Sequence, residues 1–137
     1  ITGIDIDKEK IQKATQNNQF KNLKFIHGDA FAIKPFKVDV IILSNVLEHI
    51  KDREDFIIRT KSIFNPSLFL IRVPDFERDW TVPFRKEIGT NYFSDTTHYI
   101  EHTENEFRQE MNNAGLKIVT LTKNWSEIWA KCESKIE

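Results

Sequence analysis

With 137 residues the chain has room for one domain and a substantial core. Its net charge of -1, with 30% charged and 39% hydrophobic residues, excludes the basic excess that marks a nucleic-acid-binding domain. No run approaches the ~18 apolar residues of a membrane span, and the single Cys132 excludes an internal disulfide and fits a reducing, cytoplasmic setting.

The chain opens with Ile1, already inside an apolar segment, so a further stretch is expected upstream. Ile1 to Ile6 reads as a strand ending at Asp5 and Asp7. Asp7 suits the N-cap of a helix over residues 8 to 16, with Ile11 and Ala14 on one face. Leu23 to His27 is a second strand, and Gly28-Asp29-Ala30 is the turn after it. Pro35 interrupts regular structure before a third strand, Val38 to Leu43, whose apolar run from Val40 predicts burial on both faces.

Asp52 is expected to cap a helix to about Phe64, with Phe56, Thr60, Ile63 and Phe64 on its inner face and Asn65-Pro66 as its stop. Leu68 to Val73 is a fourth strand, ended by Pro74. Residues 74–102 lack a clean period but carry six aromatics and two histidines. Thr103 with Glu106 has the spacing of a capping box, and Phe107, Met111 and Ala114 form the apolar side of a helix closed by Gly115. Leu116 to Lys123 and Glu127 to Glu133 are strands around so short a connection that they pair antiparallel. The alternation of strands and helices, closed by a hairpin, predicts an α/β fold with a mostly parallel sheet and an antiparallel C-terminal end.

Residues 38–49, Val-Asp-Val-Ile-Ile-Leu-Ser-Asn-Val-Leu-Glu-His, carry the functional signal. An apolar strand ends in small polar residues, the place where open α/β sheets hold ligands. The pattern resembles the fourth strand and following loop of small-molecule, class I S-adenosylmethionine-dependent methyltransferases, where "SxVLEH" recurs. The resemblance extends over the whole chain in element order. It implies a Rossmann-like sheet of order 3-2-1-4-5-7-6 from which the first strand, its Gly-rich loop and the first helix are absent. A fragment so truncated is expected to be inactive without its N-terminal part.

The resemblance also assigns roles. S-adenosyl-L-methionine is the implied cofactor. Asp5 would accept from the ribose hydroxyls, while Ile6 packs on the adenine face. Asp29 would accept the adenine amine, with the Ala30 amide donating to the ring. Ser44 and Asn45 would hold the amino-acid end. Some relatives carry Glu-x-x-Glu-His and bind a divalent metal there. Here Asn45-x-x-Glu48-His49 replaces one carboxylate by an amide, so the expectation is no metal, with Glu48 and His49 orienting the loop. Asp95, His98 and His102 have a metal-like spacing, but their segment reads as loop, and no metal is expected there either. Residues 74–102 are read as a substrate cover, with Phe76, Trp80, Phe84, Tyr92, Phe93 and Tyr99 as an aromatic wall. His98 and His49 are the candidate catalytic bases toward a small-molecule acceptor.

Three readings compete. A metal-assisted methyltransferase acting on a terminal ribose or a catechol-like diol would lose its activity when metal is removed. A nicotinamide oxidoreductase shares the acidic strand end, but neither Tyr92 nor Tyr99 is followed by Lys four residues on. A binding module of the same fold that has lost the cofactor differs only in failing to bind it.

Overall fold

The computed structural model describes residues 1–134, which divide into two compact units, Ile1–Phe36 and a second that begins at Lys37. In the first, β1 (Thr2–Asp5) and β2 (Lys24–His27) pair in parallel, with Asp5 opposite His27. Between them runs α1 (Lys8–Gln16). Asp7 caps it as its position predicts, its Oδ1 accepting from the amides of Glu9 at 2.9 Å and Lys10 at 3.2 Å. The Lys10 amide, more than any other neighbour, holds the Asp7 carboxyl below its ordinary value.

The second unit is built on a four-stranded sheet of order β3-β4-β6-β5, from β3 (Val40–Ser44), β4 (Leu68–Pro74), β5 (Leu116–Asn124) and β6 (Glu127–Ser134). β3 and β4 are parallel, and both β4 and β5 pair antiparallel with β6. The expected mostly parallel sheet with an antiparallel end is thus present as two ladders, one all-parallel and one mixed.

One face of the mixed sheet carries the core. Phe69, Ile71 and Val73 of β4 stand opposite Cys132, Ala130 and Ile128 of β6, and all six are buried. Leu43, Leu47, Ile57, Phe107 and Met111 complete the cluster. The other face departs from expectation. Ile42 is 62% exposed and Leu70 38%, so β3 is not buried on both sides. An unbroken apolar run is compatible with either arrangement, and the helices of this unit, which share the Phe69-Ile71-Val73 core, cover one face.

Helix α2 (Arg53–Phe64) buries Ile57, Thr60 and Phe64 in place of the expected Phe56-Thr60-Ile63-Phe64 face. Asp52 sits at its N-cap without a side-chain bond, contributing only its carbonyl, which accepts from the Phe56 amide at 3.0 Å. Asn65 closes the helix in the left-handed region, at φ 45°. Helix α3 (Thr81–Glu87) lies inside the stretch that shows no periodicity, and its Pro83 falls in the first turn, where no helical N–H is required. Helix α4 (Glu104–Asn113) begins with the full Thr103–Glu106 capping box. Gly115 follows it at φ 70°, with the Lys61 Nζ 2.7 Å from where a Cβ would stand. That ammonium donates to the carbonyls of Ala114 and Gly115, tying α2 to the end of α4.

Cys132 is fully buried, and burial pushes its thiol up to about 12. Among the described residues no helix is long and apolar enough to cross a membrane.

Candidate functional site

In the first unit the polar residues gather at the carboxyl ends of β1 and β2. Asp5 Oδ1 accepts from the Asp7 amide at 2.8 Å, which leaves its second oxygen for a ligand. The Gly28 amide donates to the Asp5 carbonyl at 2.9 Å, joining the turn after β2 to the tip of β1. Gly28 has φ 151° with nothing within 4 Å of a built Cβ, so conformation, not space, requires glycine. That backbone turn sets Asp29 and Ala30 at the same edge. Asp29 Oδ1 accepts from the Phe31 amide at 2.9 Å, while the Ala30 amide has no partner among the described residues. Ile6, next to Asp5 in sequence, is 76% exposed, an apolar surface open to a ring. An acceptor next to a free donor matches one edge of a purine base, and a nearby carboxylate oxygen matches a diol.

In the second unit β3 ends at Ser44, which is exposed. Asn45 bends the chain at φ 53°. Its amide donates to the Arg72 carbonyl at 3.0 Å, and its Oδ1 accepts from the Arg72 Nε at 2.7 Å and also from its second guanidinium arm. The amide and side chain of Asn45 therefore serve the fold, which leaves its carbonyl and the Ser44 hydroxyl for a ligand.

Leu47–His49 forms a single 3-10 turn. It buries Glu48 completely and leaves both Glu48 carboxylate oxygens without a hydrogen-bond partner among the described residues. The carbonyl of the same residue accepts from the Tyr99 amide at 2.8 Å, which fixes the loop carrying His98 against the turn. His49 and His98 meet edge to face, with ring centroids 4.6 Å apart.

Each ring is oriented by a neighbour. The Thr97 hydroxyl donates to Asp95 Oδ1 at 2.6 Å, so its oxygen accepts from His49 Nδ1 at 2.9 Å. His98 Nδ1 donates to Glu101 Oε1 at 3.0 Å. Glu101 is itself held by the Ser94 amide at 2.6 Å and by Arg78 at 2.5 Å. Burial pushes the Glu101 carboxyl upward, but the Ser94 amide, His98, the Ser94 hydroxyl and the Arg78 charge outweigh it and keep it below its ordinary value. Both contacts call for a hydrogen on Nδ1, and neither Nε2 has a hydrogen-bond partner among the described residues.

The Asp95, His98 and His102 spacing is dispersed by the fold. Asp95 turns to Thr97, His98 to Glu101, and His102, fully buried, to Glu110 at 2.9 Å. The expected aromatic wall divides in two. Tyr92 stacks on Phe93 and meets Phe76 edge-on beneath the Lys86 ammonium, while Trp80 and Phe84 form an exposed pair. Tyr99 is 60% exposed and joins neither. Thr97 and Glu101 escape a reading by motif. Their only sequence trace is the distance of one and three residues from His98.

A family model described as "Methyltransferase domain" matches residues 1–132. No curated protein matches the chain. Among solved structures, the chain is similar to magnesium protoporphyrin IX methyltransferase from Synechocystis PCC 6803, with bound SAH. The identity is 20% and the TM-score 0.69, over 98% of this chain and 64% of that one. Human N-acetylserotonin methyltransferase in complex with SAM aligns at 20% identity and TM-score 0.72, over 99% of this chain and 41% of that one. The small RNA methyltransferase HEN1 aligns at 18% and 0.71, over 98% of this chain and 20% of that one. The chain spans less than two thirds of each of these proteins. At such identities the structures establish a shared Rossmann-like fold, and the family match over nearly the whole length makes this chain a member of the methyltransferase-domain family.

Proposed function

We propose that the protein uses S-adenosyl-L-methionine to methylate an oxygen, nitrogen or carbon nucleophile on a small or medium-sized acceptor in the cytoplasm. The observation that carries this reading is the Asp29 carboxylate beside the unpartnered Ala30 amide, next to a strand tip where Asp5 keeps one oxygen free. In this reading Asp5 takes the ribose hydroxyls, Ile6 covers the adenine, and Asp29 with Ala30 reads its edge. In the second unit, the Ser44 hydroxyl and the Asn45 carbonyl are the polar groups left for a ligand. The cofactor supplies a methyl group already activated on sulfonium, so the protein chiefly positions and desolvates. The His49–His98 pair is where this chain handles the acceptor nucleophile, and residues 74–102 form the cover that selects it. Solved relatives act on acceptors as different as a porphyrin and small RNA, and a small metabolite is the class favoured by a chain without basic excess.

Isothermal titration of S-adenosylmethionine into the full-length protein tests the cofactor role. Saturable binding is expected, weakened about tenfold or more by Asp29→Ala or Asp5→Ala while the folded signal persists. A folded protein that binds no S-adenosylmethionine would instead be a module that has lost the cofactor.

A further inference from the structure

We propose that Glu48, His49 and His98 form a binding site for a divalent first-row transition cation such as Zn²⁺, Co²⁺ or Mn²⁺. One potential ligand atom from each residue lies within 4.8 Å of the other two, close enough to share an ion after small side-chain adjustments. All three belong to the second unit, and none of them is among the residues assigned to the cofactor. The amide at Asn45 argues against a hard-cation site in the sequence alone, and the structure gives a different basis for the metal.

The first argument is the unsatisfied carboxylate. Glu48 is fully buried and neither of its oxygens has a partner among the described residues. A buried carboxylate without donors is strongly unfavourable, and a cation against it removes that penalty. Nothing else in the described structure supplies positive charge to those oxygens.

The second argument is the orientation of the imidazoles. His98 gives its Nδ1–H to Glu101, and His49 gives its own to the Thr97–Asp95 pair. Metal-bound histidines are held in this way, the outer acceptor fixing the tautomer and raising the basicity of the other nitrogen. Glu101 is in turn anchored by Arg78 and Ser94.

The third argument is the donor set. Asn45 is engaged by Arg72, so the ligands are two nitrogens and one carboxylate. Imidazole nitrogen favours transition cations over Mg²⁺ or Ca²⁺. Three protein ligands leave coordination positions open, as in metal sites that bind water or a substrate oxygen. His49 is exposed, which gives an ion access from solvent.

The test uses full-length protein stripped with chelator and desalted. Calorimetric titration with Zn²⁺ should show one ion per chain, and Co²⁺ should develop visible absorption bands of a nitrogen- and oxygen-ligated ion. Glu48→Gln, His49→Ala and His98→Ala should each weaken binding about tenfold or more with an unchanged far-ultraviolet spectrum. Should Glu48→Gln fail to fold, the two histidine variants decide, since neither ring is fully buried. Absence of saturable binding by folded wild-type protein would overturn the proposal. So would binding that survives both histidine substitutions, which would place the ion elsewhere. S-adenosylmethionine titrated separately keeps the two readings apart, because its failure to bind leaves the cation result standing.

Discussion

The Tyr99 amide donates to the Glu48 carbonyl at 2.8 Å, so a main-chain bond holds the histidine of one loop against the histidine of a distant turn. Side chains then refine what the backbone has placed. Thr97 aims His49, and Glu101 aims His98.

Thr97→Val should therefore keep the fold and loosen the aim of His49. Cation affinity is expected to fall about tenfold, with Thr97→Ser restoring it because the hydroxyl returns. Cobalt absorption should report weaker binding without loss of a ligand type. Unaltered affinity in Thr97→Val would show that the hydroxyl does not orient the ring.

A second charge cluster governs stability. Glu110 accepts from Arg53 at 2.5 Å and 2.7 Å through one oxygen, and from His102 at 2.9 Å through the other. Burial pushes the Glu110 carboxyl upward, but the His102 and Arg53 hydrogen bonds and charges outweigh it, leaving it below its ordinary value of 4.5. A carboxyl lowered on folding contributes stability above its unfolded value. That contribution disappears as pH falls through the folded one. Glu110→Gln should thus flatten the loss of stability as pH falls below the ordinary carboxyl value, and Glu110→Ala should cost about 3 kcal/mol near neutral pH. Urea unfolding across that range measures both. Parallel slopes for wild type and Glu110→Gln would remove Glu110 from the acid response.

The β5–β6 turn stores strain that substitution can release. Asn124 pairs with Glu127, leaving Trp125 at φ 51° and Ser126 at φ 67°, both left-handed. A two-residue turn of that form suits the strand twist but favours glycine. Ser126→Gly should stabilise by about 0.5 kcal/mol, whereas Ser126→Val should destabilise by about 1 to 2 kcal/mol. Trp125 is better left in place because it packs edge-on against Trp129. Denaturant midpoints for the two variants check the sign, and equal midpoints would show that this turn is not strained.

Much of the local structure was legible without coordinates. Asp7 as cap, the Thr103–Glu106 box, Gly115 after α4 and the antiparallel hairpin all rest on contacts within a few residues. Where the reading slipped, tertiary packing decided. The inner face of α2 is set by what Ile57 meets in the sheet core, so its buried stripe lies one residue from the expected start. Helix α3 was hidden because its apolar residues include the exposed Phe84, so burial left no period to read.

The candidate site divides along the same line. Residue types at strand ends, Asp5, Asp29 and Ser44, follow from sequence order, because a strand's carboxyl tip is a local position. The meeting of Glu48 and His49 with His98 does not, since nothing in either segment encodes the other. Only the folded chain brings them together, through the Tyr99–Glu48 bond and the packing that buries Leu47. Short-range geometry is written in neighbouring residues, whereas the donor set of a three-residue cluster exists only once distant backbone segments have been closed on each other.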